Sequence, residues 1–178
     1  MDSLRLTNLP EFGPEDTVTS EVIEHPKCTT DRSISRQVAL QVLYEVDSAH
    51  HSIENVISEQ LQENPVTGKV ARYLRRLVDG VARHRQTLDT VIQEYAPEWP
   101  LDQVAIVDRN ILRIAIYELI FEPRVPVGVA IDEAVALADL FGGDGAPRFV
   151  NGVLGALADH LDTLRTAYAP SESEGENS

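Results

Sequence analysis

Cysteine is almost missing from this chain: Cys28 is the only one in 178 residues, so no internal disulfide can form and the paired-cysteine spacings of zinc sites are absent. The five histidines, His25, His50, His51, His84 and His160, never stand three or four apart on a helix with a carboxylate between them, which removes the usual helical metal pair. No apolar run reaches the roughly 18 to 20 residues of a membrane span. The N-terminus has neither the basic flank nor the apolar stretch of a secretory signal. A cytoplasmic protein is expected. Gly142-Gly-Asp-Gly145 could offer amides to a phosphate ahead of a helix, yet no Gly-Lys-Ser/Thr follows and no strand precedes it, so it reads as a flexible turn. Cys28 sits in no patterned helix and is not a credible nucleophile. No catalytic residue, cofactor or metal is expected, and the chain does not read as an enzyme.

Positive charge is also scarce, with 15 Lys and Arg against 29 Asp and Glu for a net charge of -14. Such a balance repels phosphate at long range. Its location matters more than its sum. Residues 1–31 carry seven acids against Arg5 and Lys27, and residues 169–178 add Glu172, Glu174 and Glu176, so the two ends hold eight of the fourteen excess charges. Both ends lack a sustained period and read as disordered acidic arms. Between them, residues 32–168 form one modestly acidic body. Within it the segment from Lys69 to Arg85 holds six cations, Lys69, Arg72, Arg75, Arg76, Arg83 and Arg85, against Asp79 alone.

In the body the apolar residues recur at three and four, the period of helices that bury one face. A first helix is expected from Ser33, as N-cap, to about Ala49. A second covers Ser52 to Glu63 and ends at Asn64-Pro65. From Val66 to Ala96 the stripe Val70, Leu74, Leu77, Val81 and Leu88 predicts one bent helix or two breaking near His84. After the turn marked by Pro97 and Pro100, Asp102 is expected to cap a helix reaching Phe121 that is apolar nearly all round and therefore central. Pro126 opens a helix to about Leu140, and Pro147 opens the last, with Val150, Leu154, Leu157 and Leu161 inward. About seven helices and no convincing strand predict an all-α bundle.

On the helical wheel Lys69, Arg72, Arg76 and Arg83 fall within about 60 degrees of one another, opposite the apolar stripe. A row of cations can hold phosphate through counterion release, or can simply be a solvated face. Glu118 and Glu133 fall among apolar neighbours. They read as structural carboxylates needing a cation, with Arg113 or Arg109 as partners, ahead of an acid/base couple.

Three blocks in order, Ile111-Leu-Arg-Ile-Ala-Ile-Tyr-Glu-Leu119, Pro126-Val-Gly-Val-Ala-Ile-Asp-Glu-Ala134 and Phe149-Val-Asn-Gly-Val-Leu154, with Arg36-Gln-Val-Ala-Leu-Gln-Val-Leu-Tyr44 upstream, resemble the NusB family of transcription antitermination factors over residues 32 to 165. The resemblance implies a compact helical adaptor that binds a boxA-type element of ribosomal RNA leaders together with the ribosomal protein NusE, within the RNA polymerase antitermination complex, and that supports ribosomal RNA transcription and processing. It implies that Arg36 and Arg32 grip RNA, although the family's arginine cluster is thinned here by Ser33, Ile34 and Ser35. The basic row of Lys69, Arg72 and Arg76 would compensate if it lies alongside. Tyr95 matches an RNA position, where its ring stacks on a base or else packs around Trp99. Arg148 and Phe149 match the family's RNA surface, Phe149 as contact or as core. Asp108 matches the partner surface and is expected to be accessible. Two rivals remain: a protein-interaction module that has lost autonomous RNA binding, and a stand-alone relative of the RNA-binding domain of ribosomal-RNA cytosine methyltransferases.

Overall fold

Each early helix starts where a hydroxyl answers the free amides of its opening turn. The computed structural model describes residues 30–169, so the two acidic arms and Cys28 lie outside the described residues. Helix α1 (Asp31–Ala49) is capped by Thr30, whose Oγ1 accepts from the Ser33 amide at 3.1 Å. The helix thus begins ahead of the expected Ser33, whose own hydroxyl turns to another task below. It ends at His50, which adopts a left-handed backbone (φ 57°) and returns its N–H to Val46 O. Ser52 caps α2 (Ile53–Glu63) and Thr67 caps α3 (Gly68–Arg83) in the same manner.

The long central stripe is two helices. His84 ends α3 and begins α4 (Arg85–Tyr95), its ring stacked on Phe121 with centroids 3.9 Å apart. The next connection departs from the expected Asp102 cap. Asp102 lies exposed in a short 3-10 turn (Leu101–Gln103), and α5 (Ile106–Phe121) starts only at Ile106 without a side-chain cap. The Gln93 amide braces this connection, donating to Ala96 O and Trp99 O and accepting from the Leu101 amide at 3.0 Å. Then come α6 (Val127–Phe141), α7 (Ala146–Ala158) and α8 (Leu161–Tyr168). The last pair replaces one expected helix. Ala158-Asp-His160 contains no breaker residue, but the turn lets α7 pack on α6 while α8 reaches α5, where Arg165 Nε donates to Leu119 O at 2.9 Å. The described residues therefore hold eight α-helices and no strand.

Six of the other helices pack on α5, and α2 rests on α1 and α3. All ten residues from Ile111 to Ile120 are buried, and six of the twelve largest fully buried side chains belong to this helix. At roughly 1.5–3 kcal/mol per buried aliphatic side chain, α5 is the largest single source of hydrophobic stabilisation. The C-terminal end of α1 is tied to it by charge. Asp47 accepts from Arg113 Nη1 at 2.8 Å and Asn110 Nδ2 at 3.1 Å and pairs with Arg85 Nη1 at 2.9 Å, while Arg113 also forks onto Asp89 at 2.6 and 3.0 Å.

Two consequences can be measured. A Cβ at Gly80 would lie 2.1 Å from Tyr117 Cζ, whereas one at Gly152 meets nothing within 4 Å. Gly80→Ala is expected to lose about 1–3 kcal/mol in urea denaturation, as overpacked cores do. Gly152→Ala is expected to gain roughly 0.5–1 kcal/mol from the stiffer helix. At Asp47, burial alone would raise the carboxyl, but the Asn110 hydrogen bond and the Arg113 and Arg85 charges outweigh it and hold its pKa below the ordinary value. Its stabilisation is therefore present above the unfolded pKa of about 4 and is lost as pH falls through the lower folded value. Asp47→Asn is expected to be less stable than the parent at pH 7 and to converge with it on acidification, in melts across that range.

Candidate nucleic-acid interface

Glu118 lies in the middle of α5 and is 1% exposed, a position in which an ionised carboxylate needs a cation and hydrogen bonds. It has both. Arg36 Nε, from α1, sits 3.0 Å from each oxygen, and Nη2 approaches Oε1 at 2.9 Å, off the hydrogen-bond axis. The Tyr73 hydroxyl, from α3, donates to the same Oε1. Arg36 Nη1 continues to Glu133 Oε2 at 3.5 Å on α6, and Ser33 Oγ donates to Glu133 Oε1 at 3.0 Å. Four helices thus meet on one buried ion pair. Burial would depress the Arg36 guanidinium, but the hydrogen bond and charge of Glu118 outweigh it and hold it above its ordinary value. Burial, followed by the Glu118 charge, pushes the Tyr73 phenol up as well.

This arrangement corrects two expectations. Arg36 is 2% exposed and cannot reach a phosphate, so it leaves the set of RNA contacts and becomes a structural cation. Arg113 and Arg109 are not the partners of Glu118: five positions on an α-helix is about 140 degrees, so Arg113 and Glu118 look to different sides of α5. Arg113 serves Asp47 and Asp89 instead. Glu133 is only half-buried and is held by Ser33 and Arg36.

Above the buried pair the cations gather. Arg32 Cζ stands 4.8 Å over the Tyr73 ring, and the Ser35 hydroxyl donates to Val70 O at 3.1 Å. These contacts bring the first turns of α1 and α3 side by side, with Arg32 against Tyr73, whose neighbours three and four positions away on α3 are exposed Arg76 and Lys69, while exposed Arg72 precedes it in the chain. Among the described residues Arg32, Lys69 and Arg72 have no carboxylate partner. Arg76 donates to Glu122 through Nε but remains 61% exposed.

The other candidates form a second group. Trp99 packs edge-on to Phe149 with centroids 6.2 Å apart, beside exposed Arg148, and Phe149 is half-buried against the core. Tyr95 packs near His160 at 5.9 Å rather than around Trp99. Asp108 is not the accessible acid expected from the sequence. It is half-buried with Oδ1 sealed and without a hydrogen-bond partner, facing Gly142 and Ala146 where α6 turns into α7, and burial raises its pKa. Asp108 and Glu118 are ten residues apart on α5, about 15 Å along its axis, so the two groups sit at different levels of the bundle.

The NusB family model matches residues 33–159 of this bundle. The chain belongs to the NusB family. It is 46% identical over 133 residues to the transcription antitermination protein NusB of Dehalococcoides mccartyi strain CBDB1, covering 75% of this chain and 93% of that one. Among solved structures it is similar to T. maritima NusB, with a TM-score of 0.66 and 32% identity over 80% of this chain and 96% of that one. It is also similar to a chain in the crystal structure of antitermination factors NusB and NusE in complex with dsRNA, with a TM-score of 0.66 and 29% identity over 78% of this chain and 98% of that one. NusB proteins are antitermination factors and not enzymes. Among the described residues no helix is long and apolar enough to cross a membrane.

Sequence reasoning missed Tyr73. Its only signal is a place at the edge of the α3 apolar stripe, next to Lys69 and Arg76 on the wheel. The buried pair is open to direct test. Arg36→Met strands the Glu118 charge and is expected to cost about 3–5 kcal/mol in urea denaturation. Adding Glu118→Leu should recover most of that loss, and a single variant as stable as the parent would remove the pair from its anchoring role.

Proposed function

We propose that this chain is a cytoplasmic antitermination factor that binds a boxA-type RNA leader jointly with the ribosomal protein NusE, acts within the RNA polymerase antitermination complex, and supports ribosomal RNA transcription and processing. The observation that carries the reading is that exposed Arg32, set against Tyr73 of α3, and exposed Lys69 and Arg72 of the same α3 have no carboxylate partner among the described residues, on an otherwise acidic body. The likeness to a NusB chain crystallised with NusE and dsRNA supports it. Arg148, Phe149 and Tyr95 would extend the contact around the bundle, with aromatic rings offered to unstacked bases.

Three or four cations neutralise few phosphates, so RNA binding by this chain alone is weak and a basic partner supplies the remainder. Titration of a fluorescent boxA-type RNA, with and without NusE, tests the reading. The partner is expected to tighten RNA binding. The double variant Lys69→Ala, Arg72→Ala is expected to flatten the plot of log affinity against log salt by about 1.4, near 0.7 for each single-strand phosphate that is no longer neutralised. A second reading, a protein-interaction module without autonomous RNA binding, is favoured by the burial of Arg36, which leaves one fewer cation at the surface. Partner binding with no RNA affinity under either condition selects it.

A further inference from the structure

We infer that Tyr73 is a positioning residue for RNA: its ring holds Arg32 at the surface while its hydroxyl is anchored on the buried Glu118–Arg36 pair. The inference rests on the RNA-binding reading above and names the device that makes a thinned arginine cluster serviceable. Arg32 lies in the first turn of α1, exposed and without a carboxylate partner among the described residues. A long side chain in that state samples many rotamers, and fixing it on a phosphate costs conformational entropy. Tyr73 supplies a face at 4.8 Å, within the range of a cation–π contact. Guanidinium planes stack on aromatic faces while leaving their edge donors free for a planar anion.

The face itself is fixed. Tyr73 is half-buried, its hydroxyl donates to Glu118 Oε1, and Arg36 Cζ lies 5.9 Å from the same ring. Glu118 is in turn held by two Arg36 contacts at 3.0 Å. The chain of contact therefore runs from the core carboxylate, through the phenol, to a surface cation on a ring that shares α3 with exposed Lys69, Arg72 and Arg76. Arg36, matched by sequence to RNA, acts one step behind the surface: it sets the carboxylate that sets the ring.

The test uses the full chain with a fluorescein-labelled boxA-type single-stranded RNA at low salt, and four variants: Tyr73→Leu, Tyr73→Phe, Arg32→Ala, and Tyr73→Leu combined with Arg32→Ala. Tyr73→Leu is expected to weaken binding roughly two- to fivefold, the worth of one exposed cation–π contact. Tyr73→Phe, which keeps the ring and loses the anchor, falls between it and the parent. The double variant should bind no more weakly than Arg32→Ala alone, because both changes remove the same interaction. Without RNA, the Arg32 side-chain protons should show a ring-current shift in NMR that Tyr73→Phe retains and Tyr73→Leu abolishes, a readout that general loss of stability does not mimic. Arg32→Ala weakening RNA binding while Tyr73→Leu does not, or strictly additive losses in the double variant, overturns the positioning role and leaves the RNA reading standing. Full affinity in Arg32→Ala and in the Lys69, Arg72 double variant overturns both.

Discussion

A buried carboxylate on the central helix has to be neutralised before the rest of the bundle can close around it, and in this chain the neutralising group comes from the first helix. The Arg36–Glu118 pair joins α1 to α5, recruits Tyr73 from α3, and passes through Arg36 to Glu133 on α6. Replacing such a pair by well-packed apolar groups is often neutral or stabilising, so its value lies less in net stability than in register. It admits one relative placement of four helices. A slide of α1 by one turn would strand two charges in an apolar core. The Asp47–Arg113–Asp89 cluster does the same for the opposite end of α1 and for α4. Two ionic clamps, one near each end of α1, thus fix how that helix lies on α5.

What these clamps control is the position of the surface cations. The starts of α1 and α3 lie together because Ser35 reaches Val70 O and because Arg36 and Tyr73 share one carboxylate. Core polarity and surface charge are therefore coupled through a few residues, and a basic patch exists on an acidic body without any long run of arginines. Its contacts are at the edge of low dielectric, where a cation is screened less than on an open helix.

The helices are legible in the sequence because their apolar residues repeat at helical spacing and hydroxyl residues or prolines mark several starts. Ile111 to Ile120 in particular carries too little polar surface to be anything but central. The departures have physical causes. Asp102 has the pattern of a cap, but the Gln93 amide brace closes a 3-10 turn there, and side-chain bracing from another helix leaves no local pattern. The break between α7 and α8 has no breaker residue because packing on α5 imposes it. Arg36 stands near the start of a helix, where a surface contact is the natural expectation, whereas its partner lies 82 positions away. Glu118 visibly needs a cation, yet a wheel of one helix cannot say which other helix brings it. Asp108 is concealed in the same way, because the α6 to α7 turn that covers it belongs to a different stretch of chain.

The acidity of the chain also bears on how the proposed joint binding would work. A body that repels phosphate at long range and attracts it at one corner gains little from non-specific contact, so affinity depends on geometry being right and on neighbours supplying charge. A basic protein docked on this surface would lower the repulsion and add cations at once. By linkage, whatever factor the partner contributes to RNA affinity, RNA returns to the affinity for the partner. An autonomous arginine cluster would hold RNA whether or not the partner were present, and the partner would no longer decide when RNA is held. On the proposed reading, Arg36 withdrawn into the core and Arg32 left on its aromatic rest would keep solo affinity low and the corner ordered. Those are the two conditions under which assembly, and not either component alone, determines when RNA is held.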